Sequence, residues 1–336
     1  MAEIILEGDA LDRLQGIPAE SIDTCATSPP YYNLRDYGEP GQIGNEETVE
    51  EYIGKLVEVF REVHRILRQD GTLWVNIGDS YATSSGPQPP ANTRNSTGHT
   101  KKTVPEGYKR KDMIGVPWLL AFALRADGWY LRQDIIWAKT NCMPESVRDR
   151  CTRSHEYIFL LSKQEHYYFD AEAISEPVQG ATTKRLLQDL AGQAGSMKQQ
   201  GRGSRPMKPV APRFGGEKYG ASTAEETRTK SGKEYRPTAR RNKRDVWNIG
   251  TGGFRGAHFA VFPEKLVEPC ILAGCPVGGT VLDPFTGSGT TGAVAKRLGR
   301  NFLGIELNPA YCQMARERIA TAPQYVEQLT LEEIAP

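Results

Sequence analysis

The sequence predicts an α/β protein built on a doubly wound, parallel-rich sheet, on three observations. Short apolar runs alternate with stretches of helical periodicity in the first half of the chain, the pattern of a sheet covered by helices on both faces. A glycine-rich turn follows an apolar run late in the chain, near Gly287. Only 44 of the 336 residues follow Gly292. The strand before this turn therefore needs N-terminal strands as neighbours, which predicts a circularly permuted order.

The N-terminal elements follow from the spacing of apolar residues. The run Ile4 to Gly8 and the run that ends at Thr27 are too short for helices and are predicted as strands. Apolar residues at helical spacing predict an amphipathic helix from Val49 to Leu67. The Asp70-Gly71 pair is predicted to turn the chain into a third strand, TLWVNIG.

The middle of the chain continues this alternation and then breaks it. A helix is predicted from Val116 to Ala126, followed by strands in WYLRQDIIWAK and in Tyr157 to Lys163. The segment from Thr83 to Asp112 is rich in Ser, Pro, Asn, Thr and Lys and too long for an ordinary connection. A mobile loop beside a site and plain disorder are both open interpretations of it.

A second polar segment, Val178 to Asp245, concentrates the positive charge of the chain. It holds sixteen Lys and Arg residues against six Asp and Glu residues, although the whole chain has a formal net charge of only +1. A solvated tail would have this composition. Because the segment lies between structured elements, an extended surface that neutralises nucleic-acid phosphates is favoured.

Several classes of protein are disfavoured by what the sequence lacks. The six cysteines are scattered, with no CxxC pair and no histidine spacing typical of zinc, so no metal is predicted. The start MAEIILEGDA has no signal-peptide pattern, and no apolar run approaches the roughly 18 residues of a membrane span. The protein is expected to be soluble and cytoplasmic. The phosphate-loop pattern GxxxxGK[ST] is absent from the sequence, which argues against a P-loop ATPase.

The strongest pattern is GTVLDPFTGSGTTGAVAKRLGRNFLGIELNP, which reads strand, glycine turn, helix, strand. Gly287, Gly289 and Gly292 match GxGxxG, and Glu306 lies 19 positions after the first of them. Such a turn lets backbone approach a ligand at a helix N-terminus, and a carboxylate at the next strand end accepts ribose hydroxyls. A dinucleotide fits this pattern equally well, and a tight turn without a ligand is the plain alternative. A dehydrogenase, however, normally has its glycine turn near the start of its sequence, and the late position of the turn here counts against that class.

The SPPY sequence at Ser28 to Tyr31 and DPFTGSG at Asp283 to Gly289, in this order, resemble amino-methylating DNA methyltransferases of the permuted β group. The SPPY form is most similar to the N4-cytosine-specific enzymes. The resemblance implies a Rossmann-like S-adenosylmethionine-dependent methyltransferase sheet, S-adenosylmethionine as methyl donor and a flipped base in double-stranded DNA as acceptor. It also implies a catalytic part at 1–177, a basic target-recognition region at 178–245 and a cofactor-binding part at 246–336.

The SPPY residues are suited to activating an exocyclic amine. The lone pair of such an amine is delocalised into the ring. A pocket that accepts both amino hydrogens frees this lone pair for attack on the methyl group. Ser28 Oγ and the Pro29 carbonyl are acceptors of the right type, and Pro29 and Pro30 remove competing donors and stiffen the turn. Tyr31 is expected to stack on a base rotated out of the duplex.

The predicted cofactor site combines the glycine turn with strand ends on either side of it. Asp283, Phe285 and the turn backbone are expected around the methionine end, Glu306 at the ribose and Asp9 at the adenine. Phe259 and Phe262 are candidates for the methionine pocket, with a place in the core as the alternative. The full set of predicted cofactor residues is Asp9, Ala10, Phe259, Phe262, Asp283, Pro284, Phe285, Gly287, Ser288, Gly289, Thr290, Thr291, Glu306 and Leu307.

Other functions stay open to different degrees. Cytosine N4 is favoured over adenine N6, because related enzymes with Ser at the first motif position lean toward cytosine. A cytosine-C5 enzyme needs a cysteine nucleophile after its proline motif, where this chain has Tyr31. A non-catalytic DNA-binding module would need neither SPPY nor Glu306. Two further partners, a cognate restriction endonuclease and a second copy of the chain, stay open.

Overall fold

The computed structural model describes residues 2–34, 39, 41–83, 104–178, 240–251 and 263–323. Most of the predicted mobile loop and most of the predicted target-recognition region lie outside these residues, as do Phe259 and Phe262. Of the helices in the described ranges, none has the length and apolar character needed to cross a membrane.

The contacts divide the chain into two compact units. One comprises Met1–Ala173 with Arg244–Pro336, and the other comprises Ile174–Lys243. The described part of the second unit is a short antiparallel ladder, in which Glu176 pairs with Arg241 and Pro177 with Arg240. The division of the chain into catalytic, target-recognition and cofactor-binding parts stays a prediction.

Strands and helices alternate along the first unit, and the ladder of the second unit consists of β6 and β7. The strands of the described residues are β1 (Glu3–Glu7), β2 (Ile22–Thr27), β3 (Leu67–Ile77), β4 (Tyr130–Ala138), β5 (His155–Ser162), β6 (Glu176–Pro177), β7 (Arg240–Arg241), β8 (Val246–Asn248), β9 (Thr280–Asp283) and β10 (Asn301–Glu306). The helices of the described residues are α1 (Ala10–Gln15), α2 (Val49–Ile66), α3 (Val116–Ala126), α4 (Glu264–Gly274), α5 (Thr290–Arg297) and α6 (Pro309–Thr321).

The large sheet has the permuted order that the late glycine turn predicts. Its strands run in the order β1-β10-β9-β2-β3-β5-β4-β8. The first five of these strands are parallel to one another, whereas β5 is antiparallel to both β3 and β4. Two strands from the end of the sequence therefore lie between β1 and β2. This arrangement brings the carboxyl ends of β2, β9 and β10 to one edge of the sheet, which we call the carboxyl edge.

Helix α2 covers the sheet as an amphipathic helix, as its periodicity predicts. It begins with a capping box, in which the Glu51 N–H donates to Thr48 Oγ1 at 3.1 Å and the Thr48 N–H donates to Glu51 Oε2 at 3.4 Å. Its inner face is buried in the main core at Val49, Tyr52, Ile53, Leu56, Val59, Phe60, Val63 and Ile66. Burial of these apolar side chains fixes the helix against the sheet.

The predicted turn at Asp70-Gly71 is wrong, because β3 begins directly after α2 and runs through both residues. The extra residues are absorbed as an irregularity in the pairing with β2, where Ile22 pairs with Leu67 and Thr24 with Thr72. At Gly71 a Cβ would lie 3.0 Å from the Arg68 carbonyl oxygen and 3.1 Å from the Asp23 carbonyl oxygen. Glycine here leaves room both for the irregular bend of β3 and for the close approach of β2.

Two helical glycines allow a direct test of the packing around the glycine turn. A Cβ on Gly292, in α5, would overlap Ile319 and lie 2.7 Å from Phe302 Cδ1. Gly292→Ala is expected to lower the free energy of unfolding by about 1 to 3 kcal/mol through overpacking.

Gly54, within α2, has nothing within 4 Å of such a Cβ. Gly54→Ala is expected to raise stability by about 0.5 to 1 kcal/mol. Urea unfolding of both variants measures the contrast, and changes of the same sign would contradict it.

Candidate active site

The SPPY motif begins directly after β2, at the carboxyl edge of the sheet. Ser28 and Pro30 are half-buried and Pro29 is buried. The Tyr52 hydroxyl of α2 donates to the Pro30 carbonyl oxygen at 2.8 Å. The motif is thus a rigid segment held between the end of a buried strand and a core helix.

The glycine turn lies at the end of β9, the strand next to β2. Gly287 and Gly289 have φ angles of 51° and 80°, in the left-handed region that favours glycine. The Ser288 and Thr290 hydroxyls accept hydrogen bonds from the Arg318 guanidinium at 3.0 and 2.9 Å. These two side chains therefore tie the turn to α6, which leaves the turn backbone as the part that can meet a ligand.

Asp283 connects the glycine turn to the strand that carries the SPPY motif. Its carboxylate accepts from Thr27 Oγ1 at 2.6 Å, from Thr291 Oγ1 at 2.7 Å and from the Phe285 N–H at 3.1 Å. The residue is 1 % exposed. Because Thr27 directly precedes Ser28, these bonds fix the SPPY motif relative to the turn. A contact between Asp283 and the methionine end of a cofactor stays a prediction.

The buried position of Asp283 has a consequence for stability. Burial raises the pKa of this carboxyl to about 6, although the donors from Thr27, Thr291 and Phe285 oppose the shift. A raised pKa means that the stabilising contribution of Asp283 is complete below its unfolded value and is lost as the pH rises through about 6.

Asp283→Asn is therefore expected to flatten the pH dependence of stability. Between about pH 5 and pH 8 the wild-type chain should lose roughly 1 kcal/mol more unfolding free energy than the variant, since Asn does not ionise. Denaturant unfolding at both pH values measures this difference. Parallel pH profiles for the two proteins would show that Asp283 does not titrate as its burial indicates.

Glu306 ends β10 and lies beside the glycine turn. Its carboxylate accepts from the Gly287 N–H at 2.8 Å and from the Asn308 N–H at 2.9 Å. Burial raises the pKa of this carboxyl, and the backbone N–H groups of Asn308, Gly287 and Leu307 oppose that shift. A half-buried carboxylate bound only by backbone donors keeps acceptor capacity for further donors, as ribose hydroxyls would be. The donor set at this strand end therefore fits a nucleoside.

The predicted adenine residues, Asp9 and Ala10, follow the neighbouring strand β1. β1 pairs with β10, with Glu7 opposite Glu306, and the Gly8 N–H donates to the Glu306 carbonyl oxygen at 2.9 Å. Asp9 follows as the N-cap of α1, where its side chain accepts from the Asp12 N–H at 3.1 Å. The sheet therefore brings Asp9 and Ala10 beside Glu306.

Four side chains form a polar group next to the SPPY motif that we call the Tyr31–Glu156 cluster: Tyr31, Asn76, Lys139 and Glu156. The Tyr31 hydroxyl donates to Glu156 Oε2 at 2.7 Å, and Asn76 Nδ2 donates to the same oxygen at 3.3 Å. Lys139 forms an ion pair with the other Glu156 oxygen. Burial, followed by the Glu156 charge, raises the pKa of Tyr31 well above its usual value.

Sequence reasoning missed three members of this cluster, and it missed Thr27. Asn76 is a polar residue near the end of the buried strand β3, and Lys139 and Glu156 adjoin the facing ends of β4 and β5. Polar residues at three strand ends that meet at one edge would have been the available signal. Sequence alone does not show that these ends meet.

Metal binding finds no support in the described ranges, where no group of three or more His, Cys, Asp or Glu side chains could hold an ion. Cys270 follows Pro269 and is the cysteine that a C5 mechanism would need after a proline. It lies buried inside α4 and directs its thiol to the Leu266 carbonyl oxygen at 3.4 Å. The site described above combines hydroxyl, carboxylate, amide and ammonium side chains with the backbone of the glycine turn.

Comparison with known families decides the class of the protein. The N6_N4_Mtase family model, described as DNA methylase, matches residues 22–317. The chain belongs to the DNA methylase family. Among curated relatives of this DNA methylase, the type II methyltransferase M.SmaI of Serratia marcescens is 46% identical over 318 residues, 94% of this chain and 90% of the relative. The type II methyltransferase M.Cfr9I of Citrobacter freundii is 42% identical, over 94% of this chain and 87% of the relative.

Solved structures share the fold of this DNA methylase. The PvuII DNA methyltransferase, named as cytosine-N4-specific, superposes with a TM-score of 0.57 at 18% identity and covers 99% of this chain and 90% of its own. The DNA modification methylase TTHA0409 of Thermus thermophilus, solved with S-adenosyl-L-methionine, gives a TM-score of 0.55 at 23% identity over 95% of both chains. The mixed α/β sheet with mostly parallel strands is thus confirmed as a methyltransferase fold.

Proposed function

We propose that this DNA methylase transfers a methyl group from S-adenosylmethionine to the N4 amine of cytosine in duplex DNA, by direct displacement on a flipped base. The observation that carries the proposal is the 2.6 Å hydrogen bond from Thr27 Oγ1 to Asp283. It joins the strand end that presents Ser28 to the strand end that presents the glycine turn. An amine acceptor and a cofactor turn at adjacent strand ends are what methyl transfer to an amine requires.

The residues that would hold the cofactor surround the carboxyl edge. Glu306 would accept the ribose hydroxyls, Asp9 and Ala10 would face the adenine, and Phe285 with the backbone of the glycine turn would hold the methionine end. Bound S-adenosylmethionine supplies a methyl group that a positive sulfur already activates. The protein must then orient the amine and exclude water from the site.

The SPPY motif performs that orientation. Ser28 Oγ and the Pro29 carbonyl accept the two amino hydrogens, which draws the nitrogen lone pair out of conjugation and directs it at the methyl group. The bond from Tyr52 to the Pro30 carbonyl keeps this pair of acceptors in place. The Tyr31 ring offers a face on which the flipped base stacks.

Cytosine N4 is favoured over adenine N6 by the serine at the first motif position. Methylation of adenine N6 by the same displacement is the second candidate, since the family includes enzymes of both kinds. The exocyclic amine of either base presents two hydrogens to the same acceptors. The base that enters therefore depends on how the ring fits beside Tyr31.

Nucleoside analysis tests the proposed product. Duplex DNA is incubated with the protein and S-adenosylmethionine, digested to nucleosides and examined by mass spectrometry. N4-methylcytosine is expected, and the Ser28→Ala variant serves as the control that makes little of it. N6-methyladenine would overturn the choice of base, and 5-methylcytosine would overturn the direct displacement.

DNA binding is assigned to the basic segment from Val178 to Asp245, which carries an excess of ten positive charges. If it neutralises about six phosphates, affinity for duplex DNA is expected to fall by roughly 1,000-fold between about 50 and 200 mM salt. Fluorescence anisotropy across that range measures how DNA affinity falls with salt concentration, and an affinity that does not change would contradict the assignment.

Because the curated relatives are named type II methyltransferases, a cognate restriction endonuclease is the partner that we propose. That the protein forms a homodimer stays a prediction, which its molar mass from light scattering tests.

A further inference from the structure

A serine at the first motif position raises a chemical difficulty. A hydroxyl group is both a donor and an acceptor. To receive a hydrogen from the base amine, Ser28 Oγ must turn its own hydrogen elsewhere, since a hydroxyl hydrogen aimed at the nitrogen would occupy the lone pair that has to attack. A neutral serine is also a weaker acceptor than a carboxylate. Some neighbour must therefore take the serine hydrogen and strengthen its oxygen.

Tyr31 and Glu156 are placed to do both. Ser28 lies within reach of the Tyr31 hydroxyl, where its side chain lowers the pKa of the tyrosine against the larger effects of burial and of Glu156. The Tyr31 hydroxyl in turn lies 2.7 Å from Glu156 Oε2. A carboxylate only accepts, so the tyrosine must donate to Glu156, and its oxygen is then left to accept from Ser28. The carboxylate charge of Glu156 therefore decides which group donates and which accepts, from Tyr31 to Ser28.

Glu156 is held firmly enough to set that direction. Its side chain is 14% exposed, and that of its ion-pair partner Lys139 is 21% exposed. Asn76, itself buried, donates both to Glu156 Oε2 and to the Tyr157 carbonyl oxygen at 3.1 Å. A Cβ on Gly78 would lie 2.8 Å from Tyr31 Cε2 and 3.2 Å from the Glu156 carboxyl carbon. Glycine at that position thus leaves the space in which tyrosine and carboxylate meet.

We propose that Glu156 is a positioning residue that acts through Tyr31 to turn the Ser28 hydroxyl hydrogen away from the base amine and to make Ser28 Oγ a stronger acceptor. The inference rests on the proposed function, because it assigns Ser28 the acceptor role. No proton is transferred along the chain. Glu156 polarises the two hydroxyls, and cooperative polarisation of this kind is stronger in a site shielded from water.

Two near-isosteric substitutions interrupt the series from Glu156 through Tyr31 to Ser28 at different points. Tyr31→Phe removes the hydroxyl and keeps the ring that stacks on the base, and Glu156→Gln keeps the shape and removes the charge. The matched control is Glu3→Gln, which removes the carboxylate of another Glu–Lys pair, with Lys296 at 3.3 Å, on the strand end opposite the carboxyl edge. Ser28→Ala provides the reference for complete loss of the acceptor.

The measurements are the single-turnover rate of methyl transfer at saturating DNA and S-adenosylmethionine, the dissociation constants of both, and the melting temperature. Tyr31→Phe and Glu156→Gln are each expected to slow the methyl-transfer step by roughly 10- to 100-fold, the effect of one charge-assisted hydrogen bond. Dissociation constants and melting temperatures should stay near those of the wild type. The double variant should be no slower than the slower single variant, since Glu156 acts through Tyr31. Glu3→Gln should react at the wild-type rate.

Other outcomes overturn the inference. A wild-type rate for Glu156→Gln would show that the charge is not needed, and additive losses in the double variant would show that Glu156 does not act through Tyr31. If the melting temperature or the DNA affinity fell together with the rate of methyl transfer, Glu156 would have a structural role instead. These results leave the proposed function intact when Ser28→Ala is inactive. A fully active Ser28→Ala, by contrast, would refute the acceptor role on which both proposals depend.

Discussion

Ser28→Ala is expected to lower the rate of methyl transfer by about 100-fold or more, as removal of one directed hydrogen-bonding group from an active site commonly does. Alanine keeps the rigid turn set by the two prolines and leaves the bond from Thr27 to Asp283 in place. The cofactor residues lie on other strand ends. The affinity for S-adenosylmethionine should therefore change little.

A matched serine on the same strand provides the control. Ser21 lies just before β2, at the end opposite Ser28, and its hydroxyl donates to the Pro18 carbonyl oxygen at 2.7 Å. Ser21→Ala should methylate DNA at the wild-type rate. Single-turnover assays with radiolabelled cofactor measure both rates, and calorimetry measures cofactor binding. Unchanged turnover in Ser28→Ala would remove this residue from the mechanism.

Glu306→Ala is expected to weaken S-adenosylmethionine binding by about 1 to 3 kcal/mol, the effect of losing hydrogen bonds to a charged acceptor. Part of the loss would come from the turn itself, because the Gly287 and Asn308 N–H groups also lose their acceptor. Glu306→Gln separates the two contributions. Its amide oxygen still accepts, but it carries no charge, so its affinity should lie between those of the wild type and of Glu306→Ala.

Isothermal titration calorimetry with S-adenosylmethionine measures these affinities. Glu317→Ala is the control, since this exposed glutamate of α6 only accepts from Gln313 at 2.9 Å among the contacts that the structure shows for its carboxylate. An unchanged dissociation constant for Glu306→Ala would show that Glu306 does not bind the ribose. Melting temperatures of the three variants show whether the glycine turn stays folded.

The permuted arrangement, in which the strand before the glycine turn has an N-terminal strand as its neighbour, could be predicted because it follows from position along the chain. The glycine turn needs parallel neighbours, and so few residues follow it that they had to come from the N-terminal half. The register of β3 could not be predicted in the same way. Asp70-Gly71 is a turn signal, but both residues are taken into β3 as an irregularity between the Ile22–Leu67 and Thr24–Thr72 pairs.

Local patterns also identified parts of the site but not their connections. SPPY and the glycine turn are visible because each is a run of adjacent residues. The bond between Thr27 and Asp283 joins residues 256 positions apart, and the bond between Tyr31 and Glu156 spans 125 positions. Such pairs depend on strand adjacency and on side-chain direction at the carboxyl edge, which spacing along one sequence does not contain.

The place of β1 in the sheet has a consequence for how the protein is made. Within the described sheet, β1 is a terminal strand whose neighbour is β10, and Glu3 pairs with Phe302. On the ribosome, β1 emerges long before β10 and has no partner in the sheet until that strand follows. Contacts of such long sequence separation slow folding and leave a strand edge open to wrong pairing. The Asp9 and Glu306 side of the site can therefore assemble only after β10 has been synthesised.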